Sequence, residues 1–287
     1  CRDWSSDVCS SDLWTEFYTD YGIDLQKRFF GHYLKGENTG WKLQPRVQLQ
    51  VRHVDRFVQR MEEEWPIACT KWTKFYLNSA DHSLSLKAAS KTGTVTYDGL
   101  GDGVTFLSLP LEHETELTGP MAAKLFVSSE TEDADLFLVM RVFSPDMKEI
   151  VFQGALDPHT PIAQGWLRVS HRKLDSKLTR EFRPYHTHDE KQALIPGQVY
   201  EVDVEIWPSS IVVPAGYRIA LTIRGRDYVY PGGGARLASM KNVFTGVGPF
   251  LHDDPRDRPP KVFGGKVTLH AGGGKDAYLL LPIIPRR

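Results

Sequence analysis

The chain has 287 residues, with 41% hydrophobic and 11% aromatic residues, which is enough to build a substantial core and excludes a disordered protein. Thirty-five basic residues stand against 36 acidic ones, with no long run of either sign, so composition gives no reason to expect nucleic acid or a membrane as partner. The longest apolar stretches, such as 277–284, are too short to span a bilayer. We expect a soluble protein and favour the cytoplasm.

Residues 1–13 are set aside before the fold is considered. The segment from Asp3 to Leu13 reads as a translated sequencing-library adapter, and the alternative is a short tail rich in serine and aspartate. Setting aside residues 1–13 removes Cys1 and Cys9, so Cys69 is the only cysteine left and no disulfide framework is predicted. On the adapter interpretation, the authentic protein starts upstream of Trp14 and is truncated here.

Residues 14–34 form the only long segment with helical spacing. Phe17, Tyr21, Leu25 and Phe29 recur every four residues, and Gly36 is placed to end the helix. We expect this apolar side to pack on structure outside the chain. Residues 14–45 are predicted to be this helix and a linker, and residues 46–287 a β domain.

Everything after this helix is predicted as strands and loops, with apolar and polar residues alternating along the strands and glycine and proline between them. The predicted strands are 47–51, 72–77, 104–109, 123–127, 136–143, 199–207, 217–223, 266–270 and 278–283. With no helix between them, they favour an all-β, antiparallel β-sandwich of the jelly-roll kind. The long connections 172–197 and 228–263 are expected to wrap over a neighbouring part.

Few residues in the sequence suggest metal binding or catalysis. Tyr185–Glu190 holds two histidines and two carboxylates that could ligate a metal, but no third ligand can be placed beside them, and a polar loop is the favoured interpretation. The acidic segment 251–258 lacks calcium-loop spacing, so we predict local Arg–Asp pairs and an Asx turn. Cys69 lies between tryptophans and is predicted to be a buried, inert thiol. The glycines of 231–234 are predicted to form a flexible loop.

Nucleophilic catalysis would need a serine or cysteine on a strained turn with a base nearby, as in the Gly-x-Ser-x-Gly elbow, and no such elbow occurs in the sequence.

The order of several segments resembles the carboxy-terminal portion of the α/β-hydrolases related to cocaine esterase and X-Pro dipeptidyl-peptidase. The likeness is carried by Leu25–Gly36, by Leu117–Ser129 with Asp133–Asp135 after it, and by the later segments Gly165–Arg172, Pro196–Tyr200, Ile206–Pro208, Pro214–Arg218 and Leu280–Ile284. The resemblance covers essentially Trp14 to the end.

The resemblance implies a serine hydrolase with a catalytic domain, a helical cap and this galactose-binding-like sandwich, cleaving esters or amides by acyl transfer. Its serine and aspartate are expected well upstream, and its histidine shortly before Trp14, so no catalytic residue is assigned in this chain, which is predicted to be inactive alone. No metal or organic cofactor is implied. The expected partners are the hydrolase and cap domains and a small acyl substrate, and an oligomer is compatible with the sequence.

Two other functions remain open. One is a carbohydrate-binding jelly roll, which would expose aromatic side chains such as Trp166 or Tyr228. The other is a structural interaction domain.

Overall fold

A computed structural model describes residues 18–154, 157–235, 243–249 and 251–286. The predicted helix is present as α1 (Asp20–Lys35), with the Thr19 side chain accepting a hydrogen bond from the Gly22 N–H. Gly36 ends it in the left-handed conformation at φ 69°, as the sequence predicts. The predicted start at Trp14, the apolar position Phe17 and the adapter-like residues 1–13 lie outside the described residues.

Fourteen strands follow in the described part of the chain, and all nine predicted strands are among them. In chain order they are β1 (Val47–Arg52), β2 (Phe57–Glu62), β3 (Lys71–Asn78), β4 (Ser83–Ser85), β5 (Gly93–Asp98), β6 (Val104–Ser108), β7 (Thr115–Ser129), β8 (Asp135–Phe143), β9 (Glu149–Ile150), β10 (Ala163–Arg168), β11 (Tyr200–Val213), β12 (Arg218–Arg224), β13 (Lys266–Ala271) and β14 (Tyr278–Ile284).

The prediction that only strands and loops follow the first helix is wrong at three places. A short helix α2 (Pro260–Phe263) has proline in its first turn, where the missing N–H costs no hydrogen bond. Trp41–Leu43 and Val169–His171 each form one turn of 3-10 helix. Segments this short carry too few residues for a helical period to show in the sequence.

The strands form one curled sheet in the order β10-β8-β12-β6-β4-β3-β14-β7-β11-β1-β2, with β5 joined to β13, β13 to β7, and β9 to β8. The sheet is mixed rather than wholly antiparallel, because β1 runs parallel to β11 and β4 runs parallel to β6. Parallel neighbours need a crossover between them. The segment between β4 and β6 makes this crossover, and it contains β5, which pairs with β13 instead of with β4 or β6.

Curling brings the end strand β10 against the free edge of β11. The clearest sign is Gly165 in β10, where an added Cβ would lie 2.1 Å from the carbonyl oxygen of Glu205 in β11. Along β11 the side chains of Val202, Val204 and Ile206 are buried inward. The alternate residues, which include Glu205, therefore line the outer surface of this seam. The arrangement is consistent with a β-sandwich.

Candidate functional site

A serine and a histidine make one hydrogen bond inside the sheet, which is the contact expected between a nucleophile and its base. Ser128 Oγ lies 2.9 Å from His270 Nε2, across the ladder between β7 and β13. Burial, and to a lesser degree the charge of Lys275, lower the pKa of His270. Ser128 is only 8% exposed, and no described carboxylate contacts His270. The pair thus lacks the turn, the orienting acid and the access that acyl transfer needs.

A concave feature lined by titratable and aromatic side chains follows the seam between β10 and β11. Two adjoining clefts of about 460 Å³ and 490 Å³ share the side chains of Trp166, Trp207 and His252, and we call the two clefts together the aromatic groove. The two indole rings meet edge to face, with centroids 5.2 Å apart and planes at 72°. Because both rings line both clefts, the tryptophan pair forms the ridge between them.

His252 is oriented by a buried carboxylate. Its Nδ1 lies 3.0 Å from Asp227 Oδ1, and its backbone N–H donates to Asp227 Oδ2 at 2.6 Å. Asp227 is 7% exposed, whereas the His252 side chain is 49% exposed and faces the groove. A carboxylate at Nδ1 favours the tautomer that carries the proton there. The Nε2 atom is then left to meet a ligand.

The floor of the first cleft is a network of paired charges. Asp135 accepts from Arg168 at 2.9 Å and from Arg258 at 2.7 Å, and Arg168 also binds Asp257. These carboxylates, Asp135 first, raise the pKa of Arg168, although burial opposes them. Arg258 also donates to the backbone carbonyl of His252 at 2.6 Å, which ties the 252–258 loop to β8. The charged floor therefore holds the loop in place and has little free charge to offer a ligand.

The acidic segment 251–258 combines the predicted local pairing with a longer-range contact. Asp254 accepts from the backbone N–H of Arg256 at 2.9 Å and pairs with its guanidinium, as predicted for an Asx turn with a local ion pair. Arg258, however, reaches Asp135 on β8. Nothing in the segment's own spacing indicated this second partner.

Besides His252, three histidines line the first cleft. His188 lies 6.0 Å from His186 and 5.7 Å from His171, measured between ring centroids. Burial lowers the pKa of His186. His171 is the third imidazole that the sequence could not place. Even so, no three histidine, cysteine, aspartate or glutamate side chains in the described ranges are grouped so that they could hold a metal ion.

Two other predictions about single residues are wrong. Cys69 is exposed rather than buried, because Ile67 fills the core position in the loop before β3. Tyr228, named as an exposed aromatic for sugar binding, is 1% exposed. The glycines of 231–234 lie in a loop after Tyr230 and do not begin a helix, and Gly233 adopts φ 89°.

Fold and site together define a mostly β domain with a groove on its outer surface. Residues 39–234 match the family described as the X-Pro dipeptidyl-peptidase C-terminal non-catalytic domain. The chain belongs to this family, which confirms the resemblance found in the sequence. No helix among the described residues is long and apolar enough to cross a membrane.

Similar proteins carry hydrolase names. A Mycobacterium bovis protein whose name calls it a serine esterase is 27% identical over 70% of this chain and 35% of its own length. The cocaine esterase of a Rhodococcus species is 23% identical over 91% of this chain and 46% of its own length. The crystal structure of a CocE/NonD family hydrolase from Staphylococcus aureus superposes with a TM-score of 0.79 and 28% identity, covering 94% of this chain and 47% of that one. This chain thus spans between one third and one half of these relatives.

Proposed function

We propose that this chain is the cleft-shaping C-terminal sandwich of a serine hydrolase that cleaves esters or amides. Membership of a non-catalytic domain family and the hydrolase names of the relatives support the proposal. In such an enzyme a serine attacks the acyl carbon, a histidine carries the proton, and backbone N–H groups hold the oxyanion. In this proposal the triad belongs to another part of the parent protein, and the sandwich, proposed to be of the jelly-roll kind, contributes shape and no chemistry.

The observation that carries the proposal is an uncovered apolar face on α1. Ile23, Phe30 and Leu34 are 40%, 50% and 76% exposed, and their spacing places them on one side of the helix. The side predicted to pack outside the chain makes a contact within it, since Phe29, which is 39% exposed, packs edge to face on Trp41 at 5.1 Å. A contiguous apolar face of this kind is typical of a protein interface. Its proposed partner is the hydrolase domain of the parent.

The first experiment tests whether this chain has hydrolase activity of its own. The purified chain is incubated with a fluorophosphonate probe and, separately, with nitrophenyl acetate. We expect no labelled serine and only background ester cleavage, and we expect Ser128→Ala to behave as the wild type because Ser128 is buried in a strand. Stoichiometric labelling of a serine, abolished by replacing that serine, would overturn the proposal that the chain is non-catalytic.

The second experiment tests the apolar face of α1. Sedimentation velocity should show self-association of the isolated chain that rises with concentration, and the triple variant Ile23→Ser, Phe30→Ser, Leu34→Ser should remain monomeric. Leu109→Ser is the matched control, because Leu109 is 78% exposed but lies outside the helix. A wild-type chain that stays monomeric at high concentration, like the triple variant, would contradict an interface at this face.

A further inference from the structure

The aromatic groove has features that the hydrolase proposal does not use. Trp207 is 63% exposed although it is the largest side-chain type. Trp207 lies on β11 beside Trp166 of β10, and the backbones of the two strands approach each other closely at Gly165. The tryptophan pair is therefore built on rigid strands rather than on a loop, which is how a ligand platform is kept in place.

We propose that the aromatic groove binds a neutral carbohydrate, with one pyranose ring stacked on the indole of Trp207 and its hydroxyl groups hydrogen-bonded to Glu205, His252 and Gln164. This activity goes beyond the proposed hydrolase role and does not depend on it. It retains Trp166 from the sequence-based alternative and replaces the buried Tyr228 by Trp207.

The polar groups in the groove suit hydroxyls. Glu205 lines the first cleft, and its carboxylate has no hydrogen bond or ion pair to any described residue. Burial raises the pKa of Glu205, and the charge of Arg183 opposes this shift only in part. Gln164 lines the second cleft and likewise has no side-chain hydrogen bond within the described ranges. With Nε2 of His252, these groups offer both donors and acceptors, which is what a sugar hydroxyl requires.

Charge disfavours an anionic ligand. The two arginines that line the groove, Arg168 and Arg258, are already paired with Asp135 and Asp257. An anion would have to displace these carboxylates, which costs the hydrogen bonds that hold the loop. Apolar ring faces and neutral hydroxyls need no such exchange, because a pyranose presents C–H groups to an indole and hydroxyls at its edge.

The first measurement uses the wild-type chain alone. Saturation-transfer-difference NMR is recorded with methyl β-D-glucopyranoside, methyl β-D-galactopyranoside and methyl α-D-mannopyranoside, each at millimolar concentration. We expect at least one glycoside to receive saturation, strongest on the ring protons of one face, with a dissociation constant of about 1 mM or below. No transfer to any of the three would overturn the proposal, whatever the variants do.

The second measurement locates the site by tryptophan fluorescence titration with the glycoside that binds. Trp207→Ala should weaken binding about tenfold or more, because it removes the stacking surface. Glu205→Gln should weaken it less. Trp65→Ala is the matched control, since Trp65 is 41% exposed and does not line the groove, and it should bind as the wild type.

Two further results, one from this titration and one from a parallel titration with tetramethylammonium chloride, would refute the assignment. One is unchanged glycoside affinity in a folded Trp207→Ala chain, with folding checked by far-ultraviolet circular dichroism. The other is saturable binding of tetramethylammonium chloride, lost in Glu205→Gln, in the absence of glycoside binding. That second result would make the groove a site for organic cations.

Discussion

Gly165→Ala tests whether the end strand of the sheet meets β11 as closely as the structure indicates. The added methyl group would lie 2.1 Å from the carbonyl oxygen of Glu205 and 3.0 Å from the Cα of Ile206. Van der Waals contact between carbon and oxygen requires about 1 Å more than the first distance. Both neighbours are backbone atoms, so no side-chain rotation can relieve the overlap, and the two strands must separate.

The expected cost follows from this geometry. Overpacking a well-packed interior costs about 1–3 kcal/mol, and backbone neighbours favour the upper part of that range. We therefore expect Gly165→Ala to lower the free energy of unfolding by about 2–3 kcal/mol, with a fall in Tm of about 5 °C or more. Separation of the strands should also disturb the Trp166–Trp207 contact and reduce the near-ultraviolet circular dichroism signal.

Urea unfolding and near-ultraviolet circular dichroism provide the assay. Gly93→Ala is the matched control, because the nearest atom to its added Cβ is the Ser79 Cβ at 3.1 Å, so that this neighbour has to move by only a few tenths of an ångström. It should cost less than about 1 kcal/mol and leave the tryptophan signal unchanged. If Gly165→Ala were as stable as Gly93→Ala with an unaltered spectrum, the close approach of β10 and β11 would be refuted.

Three further predictions concern buried or desolvated polar groups. Asp133→Ala should lower the free energy of unfolding by about 3 kcal/mol in urea, because Asp133 is 1% exposed and accepts from the N–H groups of Ala134 and Ser170 and from the Ser170 hydroxyl. Glu205→Gln should raise stability at pH 7. Burial raises the Glu205 pKa, so the folded state holds this proton more tightly and stability is lost as pH rises above the ordinary value of 4.5. The gain from glutamine should therefore disappear below pH 4.5. His186→Gln should reduce the loss of unfolding free energy at acid pH. Burial lowers the His186 pKa, so the wild-type folded state loses stability as pH falls below 6.5.

Each of these predictions has a contrary result. Asp98→Ala, which removes an exposed ion pair to Lys266, should cost less than about 1 kcal/mol, and an equal cost for Asp133→Ala would refute the role of its buried hydrogen bonds. A stability gain for Glu205→Gln that persists at pH 3.5 would refute the linkage assigned to Glu205. Parallel stability curves for His186→Gln and wild type between pH 7 and pH 5 would refute the linkage assigned to His186.

The nine predicted strands could be identified because apolar and polar residues alternate along each of them, which indicates that one face of the strand is buried. In β11, for example, Val202, Val204 and Ile206 are buried while Glu205 and Trp207 face outward. Two of the missed strands, β2 and β5, lack that signal for a physical reason. β2 pairs only with β1 and β5 only with β13, so both have largely exposed faces and little need for apolar residues at every second position.

The groove could be predicted only in part. Trp166 was identified from the sequence as an aromatic side chain suited to a ligand, but Trp207 and the third histidine, His171, were not. Arg258 was expected to pair locally, whereas it binds Asp135 across the fold. Each missed relation joins segments far apart in the chain, and neither residue type nor spacing within one segment carries information about such a partner.

The sequence by itself determined the helix end at Gly36, the nine alternating strands and the likeness to a hydrolase-associated domain, because these depend on residue period, turn chemistry and segment order. Tertiary structure alone decided that the sheet is mixed, that Cys69 is exposed, and that Trp166, Trp207 and His252 share one groove. Alternation specifies which face of a strand is buried, but not which distant strand lies beside it. Curling of the whole sheet brings the edge of β10 to β11, and the groove exists only once that seam has formed.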